Sequence, residues 1–481
     1  MKDRLIARFR RHVLQIGIVW GPFLLLGCDA GILDVDDSGI LVPEDLDRAG
    51  PAAIPTIVSG MVGDYHVAVD GLVRYSALLT DEMIAADNFP TRIEVDLRRI
   101  DPGNATLTQE MYTPLHQARF QADTTAFLFR ARLEDPDFQD HGDELNEGIA
   151  LARLYGGYAR LWLAELYCWS ILSGAPGPER DPETSPRLPD ERLVDALEHL
   201  EEAEELGSTH GFTEIRTAAL VGQARAHLWL GAFEEAASLA AQVPRGFVRW
   251  AEYSANDPSQ FNKLYALTWG DTERIRWSVG DGTIATRGNE RWAHFDQFVE
   301  LNLLLPDHPG LTAFNSSIPV NLQKLYDRPE RRVLMASGVE ARLIEAEAAV
   351  RGGRIEEAES LINDLRSDYS SRASVHWGVE LPDPENRLGE ISLTGDLEAD
   401  LESVAAERAR ELWLTGDRHT TSRRLRLDPA VEIDLFPPVK AVGLGGGDDI
   451  AFPVVRRELD YNTHLEPGAA CPEGQGRGSW H

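Results

Sequence analysis

Leu230-Gly231-Ala232-Phe233-Glu234-Glu235-Ala236 and, much later, Gly353-Arg354-Ile355-Glu356-Glu357-Ala358 carry the same short pattern twice. Each time a glycine, one further residue, an apolar residue, two glutamates and an alanine follow in that order. Helical apolar periodicity precedes each copy (Ala218–Leu230, Val339–Val350) and follows it (Glu234–Val243, Glu356–Leu365). Glycine supplies the turn conformation that other residues resist, and a small alanine lets two helices approach closely. The pattern predicts two helical hairpins.

A third hairpin is expected upstream. Between Ile149 and Ile171 the apolar residues Leu151, Leu154, Tyr158, Leu161, Trp162, Leu166 and Trp169 recur at three- and four-residue steps. The Pro-rich stretch Gly174–Pro189 then separates this helix from another over Glu191–Leu206. Recurring helix–turn–helix units of this kind are the grammar of tetratricopeptide repeats. Further helices are expected across Ile54–Val69, Leu107–Arg132 and Leu401–Leu414. Trp162, Trp169, Trp229 and Trp413 fall within helical periodicity and read as packing. Residues 244–338 break the pattern: prolines, glycines and asparagines gather there with short alternating pieces such as 273–279. So long an irregular segment is expected to serve binding.

The amino terminus reads differently. Lys2, Arg4, Arg8, Arg10 and Arg11 precede an apolar run from Val13 to Leu26, which ends in Leu25-Leu26-Gly27-Cys28. That arrangement predicts a lipoprotein signal peptide over 1–27, with acylation of Cys28. The run holds Gln15 and Pro22 and is too short to span a bilayer. Residues 28–50 read as an acidic tether and 466–481 as a disordered tail, which leaves 51–465 as the folded domain. From Cys28 onward there are 42 basic and 78 acidic residues, a net charge of −36. So negative a surface excludes nucleic acid as a partner. Cys168 reads as a buried thiol and Cys471 lies in the tail, so neither a disulfide scaffold nor a structural zinc site is expected.

Three stretches resemble one known family. Glu340-Ala341-Arg342-Leu343-Ile344-Glu345-Ala346-Glu347-Ala348, with Ala358-Glu359-Ser360-Leu361-Ile362-Asn363-Asp364-Leu365-Arg366 after the turn, is similar to the hallmark helix pair of the SusD/RagB proteins. Glu407-Arg408-Ala409-Arg410-Glu411-Leu412-Trp413-Leu414-Thr415-Gly416-Asp417-Arg418 resembles a second segment of that family. Phe452-Pro453-Val454-Val455-Arg456-Arg457-Glu458-Leu459-Asp460-Tyr461-Asn462 resembles its closing motif. The run His419-Thr420-Thr421-Ser422-Arg423-Arg424 departs from the family's aromatic-x-Asp-Leu-x-Arg pattern, and Gly443–Asp449 resembles an insertion. The resemblance implies a mainly α, tetratricopeptide-like SusD fold with a loop-rich insert at about 244–338. It also implies an outer-membrane lipoprotein facing the exterior, which captures oligosaccharide or peptide for a SusC-type TonB-dependent transporter. Asp29 supports an alternative, a periplasm-facing helical-repeat lipoprotein that scaffolds envelope complexes.

No nucleophile elbow, zincin or P-loop motif is present, so no enzyme activity and no cofactor are expected. Gly443–Gly447 lacks the Lys and Ser/Thr of a phosphate loop. The cluster Asp137, Asp140, His141, Asp143 and Glu144 lacks calcium-loop spacing, so no metal site is expected. A capture protein needs aromatic faces for sugar C–H surfaces and amides or carboxylates for hydroxyls. Candidate ligand-binding residues are therefore Trp250, Trp269, Trp277 and Trp292, with Asn289, Asn302 and Asn315. The region before the first repeat adds Asn88, Phe89 and Tyr112.

Overall fold

Helix α1, Ile54–Leu79, runs past the Val69 limit set by its apolar periodicity. Asp70 and Arg74 interrupt that pattern but are both buried, and at i,i+4 spacing they pair at 2.9 Å. A computed structural model describes residues 49–172, 186–270, 274–281, 292–381, 388–437 and 447–462, and residues 50 onward form one unit. The signal-peptide, tether and tail expectations, including Cys28, lie outside the described residues.

Helices α2 (Thr113–Arg132), α3 (Gly142–Leu166), α4 (Pro189–His210), α5 (Thr213–Trp229) and α6 (Phe233–Ala240) follow, each packed on the one before. After the insert, α7 (Gly338–Arg351) packs on α6, and α8 (Ile355–Ser367) packs on α7. The repeated glycines turn as expected: Gly231 and Gly353 have φ of 74° and 70°. These stacked hairpins are the helical-repeat fold that the sequence predicts. α9 (Leu397–Glu411) and α10 (Asp417–Leu427) close the described helices of the core.

Helix α3 stops five residues before the predicted Ile171. Tyr167 and Ser170 instead form single β-bridges to Phe452 and Arg187. Arg423 caps the buried C-terminal end of α3 by donating from Nη1 to the carbonyls of Ala164 and Glu165 at 2.8 and 2.7 Å. Burial pushes the Arg423 guanidinium down to about 10.

The insert carries short strands. Val248–Ala251 pairs antiparallel with Val333–Ser337, and Trp277–Ser278 pairs with Ile84–Ala85. Trp277 and Trp292 belong to the main hydrophobic core, at 0% and 1% exposure, which corrects their reading as ligand-binding rings. Trp277 meets Tyr75 edge-on and Trp292 stacks on Trp413. Apolar area outweighed the loop-like composition around them. Cys168 is also corrected: it is disulfide-bonded and not a free thiol.

Ion pairs run through the helical core. Arg225 of α5 grips Glu165 of α3 at 2.8 and 2.5 Å, lies over the Trp162 ring, and stands 3.7 Å from Glu340 of α7. Arg424 of α10 grips Glu347 of α7 at 2.5 and 2.7 Å. Arg408 of α9 pairs with Asp417 and donates to Thr421 at 3.0 Å. Arg372 holds Glu411 at 2.9 and 3.1 Å, while Arg418 holds Asp81, just after α1, at 2.8 and 2.9 Å. The glutamates and arginines of the family-like motifs are thus struts between helices.

Burial opposes ionisation of Glu347, but Arg424, then Arg351 and Arg408, hold its carboxyl down at about 2. A depressed carboxyl contributes stability above the unfolded-state value near pH 4.5, and that contribution fades as the pH falls toward 2. Glu347→Gln should cost about 3 kcal/mol by leaving buried guanidinium groups short of their counter-charge. Urea midpoints should then fall less steeply in the variant than in the parent between pH 4.5 and 3.

Candidate functional site

Gly71 decides the geometry of the principal cleft. A Cβ there would lie 1.9 Å from the carbonyl oxygen of Glu110, so only glycine lets the π-helical turn Thr108–Tyr112 lean on α1. That contact sets Glu110 beside the α1 pair. Arg74 donates from Nη1 to Glu110 at 2.6 Å, and the Tyr75 hydroxyl donates to the same oxygen at 2.8 Å. Arg92, on the short helix Pro90–Asp96, pairs with Asp87 at 2.9 Å and stands 3.9 Å from Glu110.

The opposite wall comes from the insert. Asn262 caps the helix Lys263–Thr268, and the Lys263 amide donates to the Asp70 carboxylate at 2.7 Å. Tyr253 anchors its hydroxyl on the His66 carbonyl at 2.9 Å, and Phe261 completes the wall. The half-open cleft measures about 350 Å³, within the range of small-molecule sites. Burial alone would raise the Glu110 carboxyl, yet Arg74, Tyr75 and Arg92 together hold it below its ordinary value. Burial lowers the Lys263 ammonium, with Asp70 opposing. A ligand therefore meets fixed charges, an exposed Gln109 amide and half-buried aromatic rings.

The predicted residues scatter. Phe89 is 49% exposed and stands over the Arg92 guanidinium, 4.9 Å from ring to cation, but does not itself line the cleft. Asn88 beside it is exposed. Tyr112 is buried against His116 and Tyr167, which corrects its reading as a contact. Trp250 is half-buried under Arg332. Trp269 donates from its indole nitrogen to the Gln323 carbonyl at 2.7 Å, facing His308. Asn315 accepts from Ser317 in a local turn, and Asn302 accepts from Lys324. Neither asparagine lines the cleft. Asn289 lies outside the described residues. Asp70, Arg74, Glu110 and Lys263 escaped the sequence reading. The available signal was an opposite-charge pair, Asp70 and Arg74, at i,i+4 spacing within the otherwise apolar stretch Val67–Leu79.

No side-chain cluster suited to a metal ion occurs among the described residues, and no described helix is long and apolar enough to cross a membrane. No family profile and no curated protein matches this sequence. Solved structures do resemble it. A SusD superfamily protein from Bacteroides thetaiotaomicron superposes with a TM-score of 0.58 at 15% identity, covering 89% of this chain and 99% of its own. A SusD-like protein from Bacteroides fragilis gives 0.59 at 14%, covering 88% and 97%. A SusD-like carbohydrate binding protein from Bacteroides vulgatus gives 0.53 at 14%, covering 78% and 83%. The chain has the SusD-like fold.

Gly71→Ala should force the turn away from α1. The expected outcome is a loss of roughly 1–3 kcal/mol, as for overpacking, with faster hydrogen exchange confined to Gln109–Tyr112 and the end of α1.

Proposed function

We propose that this protein is a divergent SusD/RagB-type lipoprotein whose cleft between α1, the Thr108–Tyr112 turn and the insert captures oligosaccharide. The observation that carries this reading is the pairing of a fixed polar lining with aromatic rings on a SusD-like fold. Hydroxyls find Gln109, Glu110 and Arg92, while ring C–H faces find Tyr253 and Phe261. The carbohydrate-binding description of one structural relative points the same way.

Binding rather than hydrolysis fits the carboxylates. A glycosidase acid must hold a proton near neutral pH. Glu110 is kept ionised by Arg74; burial raises the Asp70 carboxyl, but its two oxygens are already taken by Arg74 and the Lys263 amide. Capture would feed a SusC-type TonB-dependent transporter. Cys28 would carry the acyl anchor that holds the protein at the outer membrane, facing outward. The disulfide at Cys168 accords with an oxidising location outside the cytoplasm.

A glycan array with the soluble fragment 29–481 tests the reading. Phe261→Ala should weaken retention of the bound glycan about tenfold with little change in Tm, since the ring lines the cleft and is only half-buried. Unchanged retention would remove this cleft from the binding surface.

A further inference from the structure

The cleft does not end at Gln109. The same exposed side chain lines a second hollow of about 800 Å³, whose far side is built from Arg456, Arg457, Asp460 and Tyr461. Either hollow is large enough for a small-molecule ligand, so together they exceed a single sugar ring. Tyr461, at the far end, is 78% exposed.

Charge separates this surface from the rest of the protein. The chain as a whole carries 47 basic and 79 acidic residues. The two hollows lack that acidic excess: Arg74, Arg92, Lys263, Arg456 and Arg457 line them with Asp70, Glu110 and Asp460, and the charges balance once the partners Asp87 and Asp101 are counted. Arg74 and Arg92 are taken up by Asp70, Glu110 and Asp87, and Arg456 pairs with Asp101 at 3.2 Å. Lys263 and Arg457 make no ion pair among the described residues; the Lys263 ammonium donates only to the Pro258 carbonyl. The chain has only four lysines, and one of them stands in this cleft.

We infer that the ligand is an acidic oligosaccharide lying across both hollows, with carboxylates of uronate-type units on Lys263 and Arg457 and a distal ring against Tyr461. This inference rests on the oligosaccharide-capture reading and adds charge and length to it. A neutral ligand would leave the exposed Arg457 without an ion pair and Lys263 with only the longer-range field of Asp70, Glu110 and Asp257. A uronate supplies charge-assisted hydrogen bonds at both stations. The strongly negative remainder of the surface would meanwhile repel such a ligand, which confines it to this groove.

Calorimetry with tetragalacturonate, cellotetraose and monomeric galacturonate is the test. Tetragalacturonate should bind most tightly, and its affinity should drop as sodium chloride rises from about 0.05 to about 0.5 M, because salt screens exposed charge pairs. Lys263→Met and Arg457→Met should each weaken tetragalacturonate about tenfold, the usual scale of a hydrogen bond to a charged group. Lys324→Met, away from the groove, should change nothing. Tyr461→Ala should lower affinity for the tetramer and leave the monomer as it was. Cellotetraose binding as tightly as tetragalacturonate, insensitive to salt, would overturn the inference while leaving oligosaccharide capture standing. Equal affinity for monomer and tetramer would overturn the extended groove. Failure of all three sugars to bind would overturn the inference together with the capture reading.

Discussion

Buried carboxylate–guanidinium pairs hold this fold in register. Glu165, Glu347, Glu411, Asp417 and Asp81 each face an arginine from another element. Desolvating two charges costs several kcal/mol per ion, so such pairs contribute little net stability over an apolar replacement. Their consequence is specificity. A slip of one helix along its neighbour would strand charges in a low-dielectric core, whereas leucine against leucine would tolerate the slip. Arg424 fixes α10 on α7, and Arg225 ties α5 to both α3 and α7.

The same device reaches the cleft. Arg418 takes Asp81, and the backbone amide of Leu414 donates to Glu82 at 2.8 Å, so the turn between α9 and α10 grips the end of α1. Burial pushes the Glu82 carboxyl up to about 8. Leu414 and Gly416 both adopt left-handed backbone there, at φ of 56° and 88°. At Gly416 a Cβ would approach the Trp162 ring to 2.9 Å, so the turn needs glycine for space as well as for conformation. With its end held, α1 presents Asp70, Gly71 and Arg74 at a fixed depth. The π-helical turn packs on that surface and brings Glu110 into the cleft.

Much of this was legible beforehand. The duplicated glycine–glutamate pattern identified the hairpins at Gly231 and Gly353, and three- and four-residue spacing located most helix bodies. Periodicity failed at helix ends. It stopped α1 at Val69 because a buried ion pair looks like a solvated face, and it carried α3 on to Ile171 because Tyr167–Ile171 are as apolar in extended backbone as in a helix. The tryptophans of the insert misled for a related reason. Composition records that an indole is present but not which way its segment turns it, and Trp277, on a short strand, and Trp292, just before the helix Phe295–Glu300, both face inward.

The sequence by itself determined the stacked helical hairpins, since spacing and turn glycines are local properties that act between near neighbours. It also determined the acidic character and the lipobox-like start. Only the tertiary structure decided where a ligand could sit. Gly71 and Glu110, or Asp70 and Lys263, are distant in the chain and meet only after the hairpins stack. A cleft is a relation between separate elements, and no run of neighbouring residues encodes the distance across it.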